Sequence, residues 1–535
     1  MAVQCGSLFF FAPMRVRISN MTKKRVVSVI LILVFSLLML SARITPFLQL
    51  SPYYLVDSTP LLYDKWPSGG DDGFRAMLNN KTIEGSSETI QDTILRFDRR
   101  PELLAAGFEI ETESIFFAIK IDIREELSNF IGFKPSSNIP YLGNTKYVIT
   151  NAQYPQVAFI EYSNPYFFVS VGRRKLDMGP GKYSFMLSEE AQPNLDAIAL
   201  GASYIEGKFS LDYSFYAIGG SNSTINGNGN ETEKIKTFFI HKVSASNDVF
   251  RFGLSEMNCV YGAYPGIFDM TPFVLWHNLY QEEHSNVMIE VSMEGKIGPM
   301  RLWAQYAQDD LYFKGEGGFN NKPTGIGIGT GFDWNIIEGE RFSSLIRKND
   351  EYALKEKNLK DDGGIHLIGE FYWATNYLYN RRENYYYKDE ENNIVNNFLD
   401  DKYGKLTLPY RFYSSHGGFT DKVDAYYLGF PYGPGAILFS LSLEMENKVM
   451  KGNINASLLM RGEDNIDTVI DSSTQDTWLW LNGEVKRVWS VGCDLRLSLG
   501  KYVKGLEIDL DATINYDEYY DSIVPIVAIG VVKVF

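Results

Sequence analysis

The sequence predicts an all-β fold: a transmembrane outer-membrane β-barrel of about 18 antiparallel strands, with a small N-terminal, periplasmic part containing some helix. Three observations predict it. The chain closes on two strands that suit a barrel wall. Alternating segments of about ten residues recur from Phe108 onward. A cationic and then apolar leader precedes them all.

In Gly505–Phe535, the residues Leu506, Ile508, Leu510, Ala512, Ile514 and Tyr516 fall at every second position. Glu507, Asp509, Asp511, Thr513 and Asn515 stand between them. Successive side chains of a strand point to opposite faces, so one face is greasy and the other carries three carboxylates. In a barrel the greasy face meets lipid and the acidic face a wet lumen. A second strand, Ile523–Phe535, ends the chain on an aromatic. That ending resembles the signal outer-membrane barrels present to their assembly machinery, an expected partner together with outer-membrane lipid. Lys533 interrupts the apolar pattern, and its long stem lets it snorkel to the interface.

Composition agrees. The chain has 34 Tyr, 35 Phe and 46 Gly, which suit short strands, turns and aromatic girdles better than helices. The net charge is −15, and it becomes −20 once the five cations of the first 42 residues are removed. So negative a chain is not expected to bind nucleic acid. The leader runs from Lys23, Lys24 and Arg25 through the apolar Val26–Leu40 to Ser41 and Ala42. It predicts a signal peptide over 1–42, the apolar run being shorter than the roughly 20 residues of a retained anchor.

Residues 43–107 lack a clean period and are expected to form a periplasmic or plug segment. The barrel is expected over 108–535. Its strands are read around Ile115–Ile123, Phe209–Tyr216, Phe371–Tyr379, Ile437–Glu446 and Val491–Leu499. At roughly 24 residues per strand and loop, that length holds about 18 strands. Ser221–Lys236, Glu338–Gly364 and Asn380–Tyr410 read as long loops at the outer face. A soluble sandwich or propeller is the competing architecture. Cys259 and Cys493 permit a disulfide without requiring one.

Val169–Pro193 reads VSVGRRKLDMGPGKYSFMLSEEAQP, with a strand running into Gly179-Pro180-Gly181 and then Leu187, Ser188, Ala191 and Pro193. A second block, Phe250–Gly262, reads FRFGLSEMNCVYG. Pro272, Asn286 and Asp309-Asp310 follow in order. These blocks resemble the Wzi family of capsule-assembly proteins, with Met178 where the family has Trp. The resemblance implies an outer-membrane barrel of about 18 strands and a periplasmic helical part. It also implies a lectin-like, non-catalytic role in tethering capsular polysaccharide, so a surface polysaccharide is the expected ligand.

A lectin needs aromatic faces for sugar C–H surfaces and polar groups for hydroxyls. Tyr377–Tyr387 (YLYNRRENYYY) supplies both, which makes Arg381, Tyr385 and Tyr387 candidates. The Gly-Pro-Gly turn is expected to aim its neighbours, which adds Arg174 and Tyr183. The structural alternatives are a girdle of aromatics with solvated arginines, and an ion pair of Arg174 with a lumen acid such as Asp177. The five histidines lack metal-ligand spacing, and neither Gly-x-Ser-x-Gly nor a phosphate loop occurs. No cofactor, metal or catalytic residue is expected, and the barrel is expected to be a monomer. A porin whose carboxylates favour cations is the second function class, and an outer-membrane hydrolase is the third.

Overall fold

The computed structural model describes residues 42–59, 86–125, 130, 136–139, 150–151, 155–191, 194–225, 231–262, 264–266, 285–309, 324–337, 364–388, 391–400, 404–413, 420–447, 449–466, 468–471 and 480–535. The expected leader lies outside them except for Ala42. In chain order the elements are β1 (Arg43–Leu50), β2 (Tyr53–Asp57), α1 (Ile90–Asp98), β3 (Leu104–Glu111), β4 (Ile115–Glu125) and β5 (Thr150–Asn151). Next come β6 (Pro155–Asn164), β7 (Phe167–Arg174), β8 (Leu195–Glu206), β9 (Phe209–Ile225), β10 (Glu231–Ser246) and β11 (Phe250–Tyr261). β12 (Ser285–Ile297), β13 (Met300–Asp309), β14 (Gly325–Ile337) and β15 (Ile365–Ala374) follow. Four shorter strands are β16 (Arg382–Lys388), β17 (Ile394–Asp400), β18 (Thr407–Tyr413) and β19 (Thr420–Tyr427). The chain finishes with β20 (Ala436–Glu446), β21 (Met450–Arg461), β22 (Ile470–Asp471), β23 (Lys486–Ser498), β24 (Leu506–Asp517) and β25 (Ser522–Val534).

Antiparallel neighbours run from β3 to β4, then β6 through β15, then β20, β21, β23, β24 and β25. β1 pairs with β3 along its length, and β1 and β2 together pair with β25. β1 and β2 act as one wall strand kinked at Ser51-Pro52. The result is the expected closed barrel of 18 antiparallel strands, with one helical element, α1, among the described residues. Closure pairs every wall strand on both sides and leaves no open edge.

The barrel begins earlier than expected. Residues 43–57 belong to the wall, and β3 starts at Leu104 rather than 108. Pro46 and Pro52 disguise the alternation, yet Ile44, Leu48, Leu50, Tyr54 and Val56 all point outward and are exposed. Elsewhere the alternation reads as expected. Ile454, Val491, Ile514 and Ile529 stand exposed on the outer wall, while Asp494 and Asp511 face each other across the lumen side of β23 and β24. Lys533 lies outward, donates to the Lys504 carbonyl at the rim and sits 4.9 Å from the Phe535 ring.

One end of the barrel carries short turns such as 207–208 and 298–299, together with both chain ends. The other carries the longer connections, including 175–194 and 375–435. Segment 338–364, expected at the outer face, lies outside the described residues except for Gly364, but the strand ends that flank it, Ile337 of β14 and Ile365 of β15, are at the short-turn end, near where the Asn335 N–H meets the Pro299 carbonyl. Charge and length suggested an outer loop, but strand parity decides which end a connection occupies. The expected loop Ser221–Lys236 is mostly ladder, because β9 and β10 stay paired out to Glu231 and Ile225. Phe371 and Trp373 are wall residues, but the strand stops at Ala374, and Thr375, Tyr377 and Tyr379 turn inward and are buried. Cys259 and Cys493 form no disulfide.

α1 is the helix expected in the N-terminal part, but its contacts put it inside the long-loop end. Thr89 caps it by accepting the Asp92 N–H, while the Asp92 side chain accepts from Thr89. Asp92 also receives two hydrogen bonds from Arg461 at the long-loop end of β21, at 2.5 and 2.7 Å. Ser87 donates its N–H and hydroxyl to Asp517, at 2.7 and 2.9 Å. Ile94, Leu95 and Phe97 are buried in the lumen. Burial disfavours an ionised Asp92, but the Arg461 guanidinium and the Thr89 N–H overcome it and hold the carboxyl below its usual range.

Candidate functional site

The loop 175–191 leaves β7 and folds into the barrel. Leu176, Met178, Tyr183, Phe185, Met186 and Leu187 are all 3 % exposed or less. They join one hydrophobic cluster that includes Tyr53 of β2, Phe168 of β7, Tyr216 of β9, Trp303 of β13, Tyr372 of β15, Leu438 of β20 and Ile526 of β25. Its members come from around the circumference, so this half of the lumen is packed side chain against side chain. Polar contacts pin the loop's backbone. Glu290 accepts the Phe185 N–H and the Ser184 hydroxyl, both at 3.1 Å. Glu370 accepts the Lys182 N–H at 2.8 Å, and the Tyr372 hydroxyl oxygen accepts the Tyr183 N–H at 3.0 Å. Gln305 donates to the Tyr183 carbonyl at 2.8 Å, and Arg301 donates to that of Pro180.

The Gly-Pro-Gly turn works by space rather than by unusual angles. Neither glycine has a positive φ. A Cβ on Gly181 would stand 2.2 Å from the Trp303 ring, and one on Gly179 2.6 Å from Ser184. In the segment after β15, Tyr379 does carry a left-handed backbone, at φ 67°. Its N–H donates to Asp309 at 2.8 Å, which gives that carboxylate a structural role. Its hydroxyl donates to the Phe185 carbonyl at 2.8 Å and accepts the Phe430 N–H at 2.9 Å. A strained, fully buried tyrosine thus clamps the inward loop to the 428–432 segment.

The sequence-predicted residues are not joined into one site by their described contacts. Arg174 forms an ion pair with Glu161 at 2.5 Å and lies 4.4 Å over the Phe159 ring. Arg174 is thus in an ion pair, and Glu161 is its described partner. Tyr183 is buried edge-on against Tyr372, Phe430 and Tyr432, so it packs the plug and presents no open face. Arg381 is buried beside Gly404 in the turn after β15. Tyr385 and Tyr387 lie on β16, and their side chains fall outside the described set.

What sequence reasoning missed lies between α1 and the base of the inward loop. Leu95, Asp98 and Arg99 face Lys175, Glu189 and Glu190 across a cavity of about 190 Å³. Arg99 is 3.7 Å from Glu190, Asp98 is 3.6 Å from Arg124, and Lys175 donates to the Glu189 carbonyl at 2.8 Å. Burial lowers the Lys175 pKa despite the acids around it, and burial together with Glu190 raises that of Glu189. Burial also opposes the Arg99 charge, but Tyr183 and Glu190 outweigh it and hold the guanidinium above its usual range. Glu189 and Glu190 were visible in sequence; the partner segment, some 90 residues upstream, was not.

A second lumen surface is wet. The inward residues Asn453, Asn455, Asp494, Arg496 and Asp511 of β21, β23 and β24 are partly or fully exposed.

No family model matches the sequence, and no curated protein matches it. Among solved structures, the chain is similar to Wzi of Escherichia coli, a carbohydrate-binding β-barrel involved in group 1 capsule assembly. That match has a TM-score of 0.48 and 11 % identity, covering 96 % of this chain and 89 % of the other. It is also similar to OccK11 (OpdR) of Pseudomonas aeruginosa, with a TM-score of 0.42 and 8 % identity over 93 % of this chain and 97 % of the other. OccAB2 of Acinetobacter baumannii is a further match, with a TM-score of 0.41 and 9 % identity over 93 % and 98 %.

Proposed function

We propose that this chain is a non-catalytic outer-membrane barrel that binds a surface polysaccharide at its long-loop mouth and helps attach or assemble it at the cell surface. Outer-membrane placement is supported by the closed wall and its apolar exterior, since lipid admits only helices and closed barrels. The short-turn end, which carries both chain ends, then faces the periplasm. The observation that carries the reading is the packed lumen. A pore needs a continuous wet path, and the cluster around Phe185 and Tyr372 fills the long-loop half with apolar side chains. The binding barrel acts as a monomer in outer-membrane lipid, reaches it through the barrel-assembly machinery, and uses no cofactor.

A general or cation-preferring porin is the second reading, and the exposed carboxylates Asp494 and Asp511 favour it. Two measurements separate the readings. In planar bilayers the purified barrel should show no steady ion conductance, and a deletion strain should lose surface polysaccharide with unchanged solute uptake. Stable porin-sized conductance with normal polysaccharide retention would reverse the choice.

A further inference from the structure

We propose that the cavity between α1 and the inward loop is a subsite for one neutral sugar unit of a polysaccharide. The inference deepens the polysaccharide-binding reading and rests on it.

The cavity sits at the long-loop mouth, between the two elements that plug the barrel. At about 190 Å³ it is smaller than the roughly 300–1,000 Å³ of drug-sized sites, which suits a single ring better than an oligosaccharide. Its walls offer both donors and acceptors. Arg99 and Lys175 bring N–H groups; Asp98, Glu189 and Glu190 bring carboxylate oxygens; Leu95 brings an apolar surface. A sugar hydroxyl is both donor and acceptor, so vicinal hydroxyls can meet a carboxylate on one side and a cation on the other. Leu95 is left for a C–H edge of the ring.

The walls are already held in place. The Arg99 N–H closes the helix end on the Leu95 carbonyl at 3.2 Å, Asp98 is steadied by Arg124, and Lys175 is fixed to the Glu189 carbonyl. Fixed walls reduce the ordering cost of binding. The charge count sets the ligand's sign. With Arg124 behind Asp98, three carboxylates meet three cations, so the site holds no spare positive charge to offset that of an acidic sugar. A neutral sugar needs no such offset.

The test is calorimetric titration of the purified barrel in detergent with neutral hexasaccharides (maltohexaose, mannohexaose, cellohexaose and xylohexaose) and with hexagalacturonate. At least one neutral hexamer should saturate the wild type, and hexagalacturonate should not. Glu189→Gln with Glu190→Gln should weaken the neutral ligand tenfold or more, with the melting temperature unchanged. Lys175→Met, a second variant at the other wall, should weaken it as well. Tighter binding of hexagalacturonate than of any neutral hexamer overturns the neutral assignment. Neutral binding that is unaltered in both variants removes the cavity alone and leaves the polysaccharide reading standing. If no glycan binds the wild type, both fall.

Discussion

On β12 the inward carboxylate of Glu290 is 1 % exposed and accepts two hydrogen bonds from the inward loop. On β24 the inward carboxylate of Asp511 is exposed to the lumen. Both sit on the polar face of an alternating strand, and nothing in either strand tells them apart. The difference comes from what lies opposite: a loop returning from β7 seals Glu290, whereas Asp511 stands beside Asp494 and stays exposed. Alternation says which way a side chain points. It does not say what the side chain meets, and that second fact separates a structural acid from a wet one.

The packed region should be the more sensitive. Phe185→Ala removes a fully buried ring from the plug and should cost about 3–5 kcal/mol. The readout is a lower melting temperature in detergent, with ion conductance appearing in bilayers as the plug loosens. A loss below roughly 1 kcal/mol would mean the plug is not a packed core. On the outer wall, Leu510→Arg should cost about 2–4 kcal/mol, measured by the heat-modifiable folded fraction in membrane extracts. Full tolerance there would remove the lipid-facing assignment.

Asp92 probes how the helix joins the plug. Asp92→Asn breaks its ion pair with Arg461, and the effect should be about 2 kcal/mol once partial exposure is allowed for. The pH dependence has a definite sign. The folded pKa lies below the ordinary value of 3.8, so the stabilisation is fully present above that value and is lost as pH falls through the folded pKa. Wild-type melting should therefore drop more steeply than that of Asp92→Asn below about pH 4, and parallel curves would show that the pair contributes nothing. The smallest effect is expected for Asp511→Asn in the wet region, within about 0.5 kcal/mol of wild type. A large loss there would mean the lumen is packed along this wall too.

Much of the wall was legible. Leu510 and its alternating neighbours read correctly because a period of two needs no knowledge of partners. β1 and β2 were hidden because their prolines interrupt that period. The interior was far less legible. Phe185, Met186 and Leu187 form an apolar run inside a connection, which could have signalled an inward loop. The cavity joins Arg99 to Glu190, and no local period links residues so far apart. Tyr183 follows the turn into a packed interior, and Arg174, the last residue of β7, is buried against Glu161, so neither is presented to solvent.

The kinked strand β1–β2 has a consequence for assembly. It meets β25 through only seven register pairs, two in β1 and five in β2, whereas β24 meets β25 through twelve. This seam joins residues nearly the whole described chain apart, so its contacts carry the largest loop-closure entropy in the molecule. The cylinder should therefore zip shut there last and unzip there first. Because Leu48 and Phe535 already touch through a backbone hydrogen bond of 2.9 Å, a circular permutant that ties Phe535 to Arg43 and reopens the chain in a short turn would convert the weakest joint of the cylinder into a hairpin.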